Sequence, residues 1–318
     1  MHLKKYVISD NSTIYVEIVN LGARLHHLGQ NADHNVLVSP TNMNDYRNDV
    51  NWMGATIGPR AHLLRDGVFT KKNGNLYYEK NYQGHHLHGG EQGFHRQIWN
   101  VEKHTNNMLF LGLNSRCGGR FTVQYKILRH SLSISYTAKV RESTVVNMTN
   151  HAYFNLSAED KIYNHHIKIN AAAVVDTDDS NLPLPQDRAV ANSILDLREF
   201  RQLSVIKAIP AESSLKKTNG YNHCYLFDRG VNKYAEIDHP AQQCTLRVTT
   251  TKPAIQFFTA NNIHALTKGK LWRHAALCLE PVYPISDYLQ GDDALSLLHS
   301  GQEYCETDTY QFINRLAR

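Results

Sequence analysis

The stretch His85–Phe94 reads HHLHGGEQGF and holds three histidines within four residues, followed by two glycines. On a β-strand the side chains of His86 and His88 would share one face, and a zinc ion can use such a pair. A zinc site needs further ligands, however, and no cysteine lies near this stretch to supply one. Gly89-Gly90 instead predicts a tight turn that presents His88 at the rim of a site. A surface hairpin with incidental histidines is the alternative interpretation.

A second stretch, TNHAYFNLS (149–157), surrounds one histidine with polar and aromatic neighbours. Asn150, Tyr153 and Asn155 could each form a hydrogen bond with the His151 imidazole or with a ligand. The stretch is therefore a candidate site, and a structural histidine is the alternative.

Two further stretches bring polar side chains to the ends of apolar runs. In ALCLEPVYP (276–284), Glu280 ends a run that should be buried, and burial would raise the pKa of its carboxyl group toward the range that suits a general base. In GYNHCYLF (220–227), Asn222 follows a Gly-Tyr turn and enters a strand-like run. A structural salt bridge at Glu280 and a turn cap at Asn222 are the alternatives.

The elements that must position these residues are predicted to be β-strands. Alternating or β-branched segments occur at 121–128, 131–140, 165–170 and 244–250, and turn signals recur at Asn73-Gly74, Cys117-Gly118-Gly119, Asn219-Gly220 and Asp238-His239-Pro240. Helical periodicity is scarce, and 294–300 is ambiguous. Many short strands without interleaved helices indicate an all-β, antiparallel sandwich or barrel. Because no composition break divides the chain, residues 1–318 are predicted to form a single domain.

Composition excludes several classes of function. Lys+Arg 34 against Asp+Glu 29 gives a net charge of +5 without a basic block, so no nucleic-acid partner is expected. No apolar run is long enough to span a membrane, and the first residues lack a signal-peptide core. Five widely spaced cysteines, at 117, 224, 244, 278 and 305, indicate free thiols in a reducing compartment. The expected location is cytoplasmic.

Taken together and in chain order, the four stretches resemble the motifs of the aldose 1-epimerase (galactose mutarotase) family. The matching segments are Leu87-His88-Gly89-Gly90 with Gly93-Phe94 and Trp99, then Asn150-His151-Ala152-Tyr153-Phe154-Asn155-Leu156, Gly220-Tyr221-Asn222-His223, the strand from Pro253 to Asn261, and Leu279-Glu280. The resemblance covers nearly the whole chain, and the LHGG and NHxYFNL motifs are its most specific parts.

This resemblance implies a galactose mutarotase-like supersandwich with an open sugar cleft. It also implies interconversion of the α and β anomers of a free monosaccharide such as galactose or glucose, without cofactor or metal, by a monomer or weak homodimer. By carry-over, Glu280 is the general base for the C1 hydroxyl and His151 the general acid for the ring oxygen. His88 is a second donor near that oxygen, and His85 and His86 are scaffold or rim residues.

The residues expected to bind the sugar hydroxyls depart from the family pattern. Gln256 matches it, but Asn222 stands where the family has Asp, and His62-Leu63 stand where it has Asn-Arg. Arg60 and His62 are expected as substitute binders on one face of a strand, with Leu63 facing the other way. An altered sugar preference, or a weaker enzyme, is the resulting hypothesis.

Three alternatives stay open at this stage. A hexose-6-phosphate mutarotase would need a basic phosphate pocket, for which Arg60, Arg65 and Arg96 are candidates, although the LHGG and NHxYFNL motifs favour an unphosphorylated sugar. A sugar-binding or sensing protein without turnover would tolerate the altered binding residues. A retaining glycosidase would need two carboxylates that flank the bond, and only Glu280 is well placed.

Overall fold

The computed structural model describes residues 2–115, 118–261, 263 and 272–314. Regular structure in these residues consists of β-strands joined by turns and short 3-10 helices, which confirms the all-β prediction. Cys117, with the turn and the free thiol predicted there, lies outside the described residues. None of the helices in the described part of the chain is long and apolar enough to cross a bilayer.

The strands are short near the site and long in the main sheet. Those in the described residues are β1 (Lys5–Ser9), β2 (Tyr15–Val19), β3 (Arg24–Gly29), β4 (Thr56–Ile57), β5 (Leu63–Leu64), β6 (Val68–Phe69), β7 (Leu76–Tyr77), β8 (His86–Leu87), β9 (Asn100–Thr105), β10 (Met108–Ser115), β11 (Gly119–Leu128), β12 (Ser131–Val140), β13 (Thr144–Val145), β14 (Thr149–Asn150), β15 (His166–Ile169), β16 (Ala173–Thr177), β17 (Pro183–Ala189), β18 (Arg201–Gln202), β19 (Asn222–Leu226), β20 (Tyr234–His239), β21 (Cys244–Thr250), β22 (Ala254–Phe258), β23 (Cys278–Val282), β24 (Leu297–Leu298) and β25 (Glu303–Asn314). The 3-10 helices in the same residues are Met43–Asn48, Arg65–Gly67, Gly90–Gln92, Phe94–Arg96, Ile162–Asn164, Leu203–Lys207, Pro240–Gln242, Ile285–Leu289 and Gly291–Asp293.

Two antiparallel sheets dominate the described residues. One has nine strands in the order β18-β15-β20-β21-β25-β12-β11-β10-β9, and the other has five in the order β17-β16-β19-β22-β23. Strands β1 to β3 form a third sheet, and the remaining pairs are two-stranded. All four segments predicted from alternation lie in the nine-stranded sheet, where one face is buried and the other partly solvated, so period-2 patterning is strongest there.

The two large sheets pack face to face around one apolar core. Phe121 and Tyr136 of the nine-stranded sheet belong to the same buried cluster as Tyr225, Phe257 and Leu279 of the five-stranded sheet. This packing confirms the predicted antiparallel sandwich. The single-domain organisation of residues 1–318 stays a prediction, and the shared core supports it.

The opposite face of the five-stranded sheet is covered by short strands and loops. Val175, Cys224 and Val282 on that face join a second apolar cluster with Ala55 and Ile57 of the covering segment. Strand β23 is thus buried on both faces, with side chains alternating between the main core and the covered face, whereas the edge strand β17 is mostly exposed. The ambiguous stretch 294–300 contains β24, which pairs with β13, rather than a helix.

Candidate active site

Glu280 lies on the covered face of β23. Its neighbour Leu279 points into the main core, and the alternation of the strand therefore turns Cys278 and Glu280 to the other side. Gln256 of β22 is the register partner of Glu280, and Cys224 of β19 is the next residue across the sheet. The carboxylate thus projects from a rigid, paired strand into the layer that covers the sheet.

Backbone hydrogen bonds hold His151 over this strand. Strand β14 pairs with β4, and just beyond it the His151 amide donates to the Ala55 carbonyl at 2.9 Å while the Gly54 amide donates to the His151 carbonyl at 2.8 Å. His151 Nε2 lies 3.8 Å from Glu280 Oε2, and His151 Nδ1 lies 3.6 Å from Cys278 Sγ. The structure therefore brings together the two groups predicted as acid and base.

Aromatic side chains fix the plane of the His151 ring. The Trp52 indole stacks on it with ring centroids 6.0 Å apart, and the Tyr153 ring stacks at 5.0 Å. The two asparagines of this motif do not bind the imidazole. Asn150 donates to the Gly54 carbonyl and Asn155 to the Ala275 carbonyl, so both stabilise the backbone around the histidine.

The predicted turn delivers His88 to the same place. His88, Gly89 and Gly90 all have positive φ, at 52°, 86° and 66°. A Cβ atom on Gly89 would lie 2.2 Å from the Gly58 carbonyl oxygen, so only glycine fits there. The His88 ring meets Trp52 at 4.8 Å and His151 at 5.7 Å between centroids, both edge to face.

The idea that His86 and His88 share a strand face is wrong. Strand β8 ends at Leu87, and the left-handed backbone at His88 breaks the alternation. His86 instead accepts a hydrogen bond from Arg60 at 2.9 Å and bonds the Glu79 carbonyl at 2.7 Å. His85 accepts a hydrogen bond from the Asp66 amide, and these bonds support the scaffold role expected for both histidines, which stays a prediction.

Burial without a compensating cation sets the protonation of the site. Among the described residues, none donates a hydrogen bond to the Glu280 carboxylate, and burial raises the pKa of this group to about 8. Burial lowers the pKa of His151 to about 3 and lowers the pKa of His88 well below its usual value. At neutral pH the carboxyl is therefore protonated and both imidazoles are neutral, so Glu280 and His151 together hold one transferable proton.

Three of the four predicted binding residues lie close to this cluster. Gln256 Nε2 donates to Asn222 Oδ1 at 2.7 Å, on the sheet face that carries Glu280. His62 is buried in a left-handed conformation, with φ at 67°, and its carbonyl accepts a hydrogen bond from the His88 amide. Its Nε2 atom is buried without a hydrogen-bond partner in the part of the chain that the structure describes.

Arg60 contacts side chains outside this cluster. Its guanidinium bonds His86 and lies 3.3 Å above the centre of the Tyr78 ring. The strand predicted through 60–63 does not form, because His62 is left-handed and β5 begins only at Leu63. These contacts do not support a sugar-binding role for Arg60, which stays a prediction. Leu63, at the family's arginine position, is buried in the apolar cluster of the covering layer.

Two residues around the site were not foreseen from the sequence. Trp52 contacts both His88 and His151, but it lies in a loop without periodic or motif context that could have marked it. Cys278 contacts His151, and its position two residues before Glu280 on one strand was a signal that could have found it.

Comparison with known proteins agrees with the motifs. The family described as aldose 1-epimerase matches residues 4–311 of the chain. The aldose 1-epimerase of Escherichia coli (strain K12) is 26% identical over 328 residues, which cover 96% of this chain and 94% of the relative. The galactose mutarotase of Mus musculus is 27% identical over 317 residues, with 93% and 90% covered. The crystal structure of a GalM/aldose epimerase homologue from C. elegans superposes with a TM-score of 0.88 at 20% identity, covering 98% and 99% of the two chains, and confirms the predicted fold.

We expect Glu280→Gln to stabilise the protein increasingly as pH rises from 4.5 to 8. In this range the carboxyl ionises in the unfolded chain, where its pKa is the ordinary 4.5, but stays protonated in the fold, where the pKa is about 8. Unfolding of the wild type is thereby favoured, and the glutamine variant escapes this effect. At pH 7 the gain in unfolding free energy should be about 3 kcal/mol.

Urea unfolding of both proteins at pH 4.5, 6 and 8 measures this gap. Glu142→Gln, which replaces an exposed acid, is the matched control and should show no widening gap. A difference between Glu280→Gln and wild type that stays constant over this pH range would contradict the raised pKa.

Proposed function

The chain belongs to the aldose 1-epimerase family, and on this premise we propose that it is an isomerase that interconverts the α and β anomers of a free aldose such as galactose or glucose. One observation carries the proposal most directly. A buried carboxyl group and a buried imidazole face each other at 3.8 Å and hold one proton between them. Opening a hemiacetal requires one proton removed and one delivered, which is what such a pair provides.

In the proposed mechanism, Glu280 is the base and His151 is the acid. The resting pair, a protonated carboxyl and a neutral imidazole, has the same number of protons as a carboxylate facing an imidazolium. Transfer of the shared proton to His151 Nε2 therefore produces the carboxylate base and the imidazolium acid together, without proton exchange with solvent. The Glu280 carboxylate then takes the proton of the C1 hydroxyl while His151 gives its proton to the ring oxygen.

These transfers break the bond between C1 and the ring oxygen and leave a carbonyl at C1. Rotation about the C1–C2 bond exposes the other face of the carbonyl, and the reverse transfers close the ring as the opposite anomer. Each group ends in its starting state, so the balance requires no cofactor. His88, edge-on to His151, is proposed as a second donor to the ring oxygen.

The hydroxyl groups of the sugar are proposed to meet Asn222, Gln256 and His62. Asn222 and Gln256 already bond each other on the Glu280 face, which holds their remaining donors and acceptors in fixed directions. His62 offers a buried ring nitrogen that lacks a partner among the described residues, and a buried polar atom of this kind is costly unless a ligand pairs with it.

No observation favours the alternatives. Of the arginines considered for a phosphate pocket, Arg60 bonds His86, Arg65 pairs with Asp178 at 3.0 Å and Arg96 pairs with Glu91 at 3.4 Å. Each of these guanidinium groups thus already has a partner outside the Glu280 cluster. A protein that only bound sugar would gain nothing from an ionisable pair whose burial destabilises the fold.

We expect wild-type protein to accelerate the mutarotation of freshly dissolved α-D-galactose or α-D-glucose, and Glu280→Gln to abolish most of the acceleration. Loss of a positioned acid or base should cost about 10²–10⁴-fold in kcat. Polarimetry against the uncatalysed rate measures this, with Glu142→Gln as the control. Full activity in Glu280→Gln would contradict the proposed base, and inactivity of the folded wild type on all free aldoses would contradict the function.

The shared proton predicts an unusual pH profile. The pair holds its single proton between pH values of about 3 and about 8, so kcat/KM should be flat through neutral pH and fall above about pH 8 as the pair loses that proton. The decline should approach tenfold per pH unit. Initial rates between pH 5 and 10, corrected for the uncatalysed reaction, measure this. A rate that instead rises through pH 8 would show that the doubly deprotonated pair is the active form.

The altered binding residues predict a sugar preference that differs from equal use of galactose and glucose. A site built to bond one hydroxyl rejects sugars that lack it, because its buried polar groups are then left unpaired. A panel of free hexoses, deoxy-sugars and pentoses, compared by kcat/KM, tests this. Equal rates on galactose and glucose at low KM would count against the idea, and His62→Ala should change the ranking if His62 reads a hydroxyl.

A further inference from the structure

One set of three side chains in the described residues has the composition and closeness of a metal site. The ligand atoms of His151, Cys278 and Glu280 all lie within 4.8 Å of one another, and all three side chains are buried. Two of these groups belong to the proposed proton-transfer pair. The thiol of Cys278 has no part in that mechanism, and its contact with His151 is what completes the set.

We propose that His151, Cys278 and Glu280 form a binding site for a thiophilic divalent cation such as Zn²⁺, and that the bound ion inhibits the enzyme. The inhibition rests on the proposed function, because the ion would occupy the Glu280 carboxylate, which is the proposed base. The binding does not, because it depends only on the three ligands.

The ligand types and spacing suit zinc. Thiolate, imidazole and carboxylate are the three classes of zinc ligand in proteins, and a site with three protein ligands leaves the fourth tetrahedral position open. Zinc bonds of about 2.3 Å to sulfur and about 2.0 Å to nitrogen place those two ligand atoms roughly 3.5 Å apart. The Sγ–Nδ1 distance of 3.6 Å agrees with this separation, and the three ligand atoms of the set lie within 4.8 Å of one another.

The charges suit a divalent ion as well. Coordination by a thiolate, a carboxylate and a neutral imidazole gives a ligand charge of −2, which a divalent cation balances inside the fold. Arg24, whose positive charge helps to lower the pKa of His151, is already paired with Asp49 at 2.6 Å. Two aromatic rings, of Trp52 and Tyr153, limit how far the His151 imidazole can turn, so the ligand set stays assembled.

Calorimetric titration of the full-length protein with ZnCl₂ in a non-chelating buffer tests the site directly. We expect one tight site per chain in the wild type, with the affinity reduced about tenfold or more in Cys278→Ser, because a hydroxyl is a far poorer zinc ligand than a thiolate. Cobalt(II) in place of zinc should give a sulfur-to-metal charge-transfer band that Cys278→Ser lacks. Thermal unfolding of each variant shows that it is folded.

Cys224→Ser is the matched control, since Cys224 is also buried and lies on the same face of the same sheet. It should keep the tight zinc site and the cobalt band. The chain has 19 histidines, so weak surface binding is expected in every variant, and only the tight site counts. An unchanged affinity in Cys278→Ser, or a cobalt complex without sulfur ligation, would overturn the proposal.

Polarimetry adds the functional readout. Zinc should suppress wild-type mutarotation, EDTA should restore it, and Cys278→Ser should need at least about tenfold more zinc for the same fractional loss. Equal sensitivity of wild type and Cys278→Ser would refute inhibition through this site. If the wild type had no mutarotase activity, the proposed function would fail, while calorimetry and the cobalt band would still decide whether the cation site exists.

Discussion

The structure depends on one costly constraint, a carboxyl group buried in the middle of strand β23 with no cation paired to it among the described residues. Burial of Glu280 favours its protonated form, and burial of His151 favours the neutral imidazole. The two effects together leave one proton for two groups 3.8 Å apart. Solvent exposure of both groups would restore their ordinary pKa values of 4.5 and 6.5, and the pair would then hold no proton above about pH 7. The covering layer over the five-stranded sheet therefore matters to the chemistry as much as the two side chains do.

The sandwich supplies the rigidity that this arrangement needs. Strand β23 is paired along its length with β22, and Leu279 anchors it in the core shared with the nine-stranded sheet. Because side chains alternate, anchoring Leu279 on one face fixes Glu280 on the other. His151 has no such strand of its own. Its position comes from backbone hydrogen bonds to Gly54 and Ala55 and from stacking on Trp52. The sheet therefore positions Glu280, and a loop of the covering layer positions His151.

Regular parts of this design could be predicted from sequence, and irregular parts could not. Strands β12 and β21 coincide with the alternating segments 131–140 and 244–250, and the burial of Glu280 followed from the apolar run before it. The contacts of Arg60 and His62 were not predictable, because alternation assumes an extended backbone and His62 is left-handed. Trp52 lies in a loop that reaches the site only through tertiary packing. No local sequence pattern could therefore have predicted its contacts with His88 and His151.

In the part of the chain that the structure describes, the lack of a cation paired with Glu280 underlies both the acid–base pair and its proposed inhibition by a metal ion. An arginine close to Glu280 would favour the carboxylate, lower its pKa and draw the shared proton onto His151. In this chain Arg24 is paired with Asp49, and Arg60 lies against Tyr78 and His86. Glu280 therefore keeps its high pKa, and in the resting pair the proton stays on the carboxyl group while the imidazole is neutral. Ligands that can become anionic, facing each other without a resident cation, are also what a thiophilic metal ion prefers. Because no cation is paired with Glu280 among the described residues, the same site that moves one proton is, in our proposal, also open to inhibition by a divalent cation.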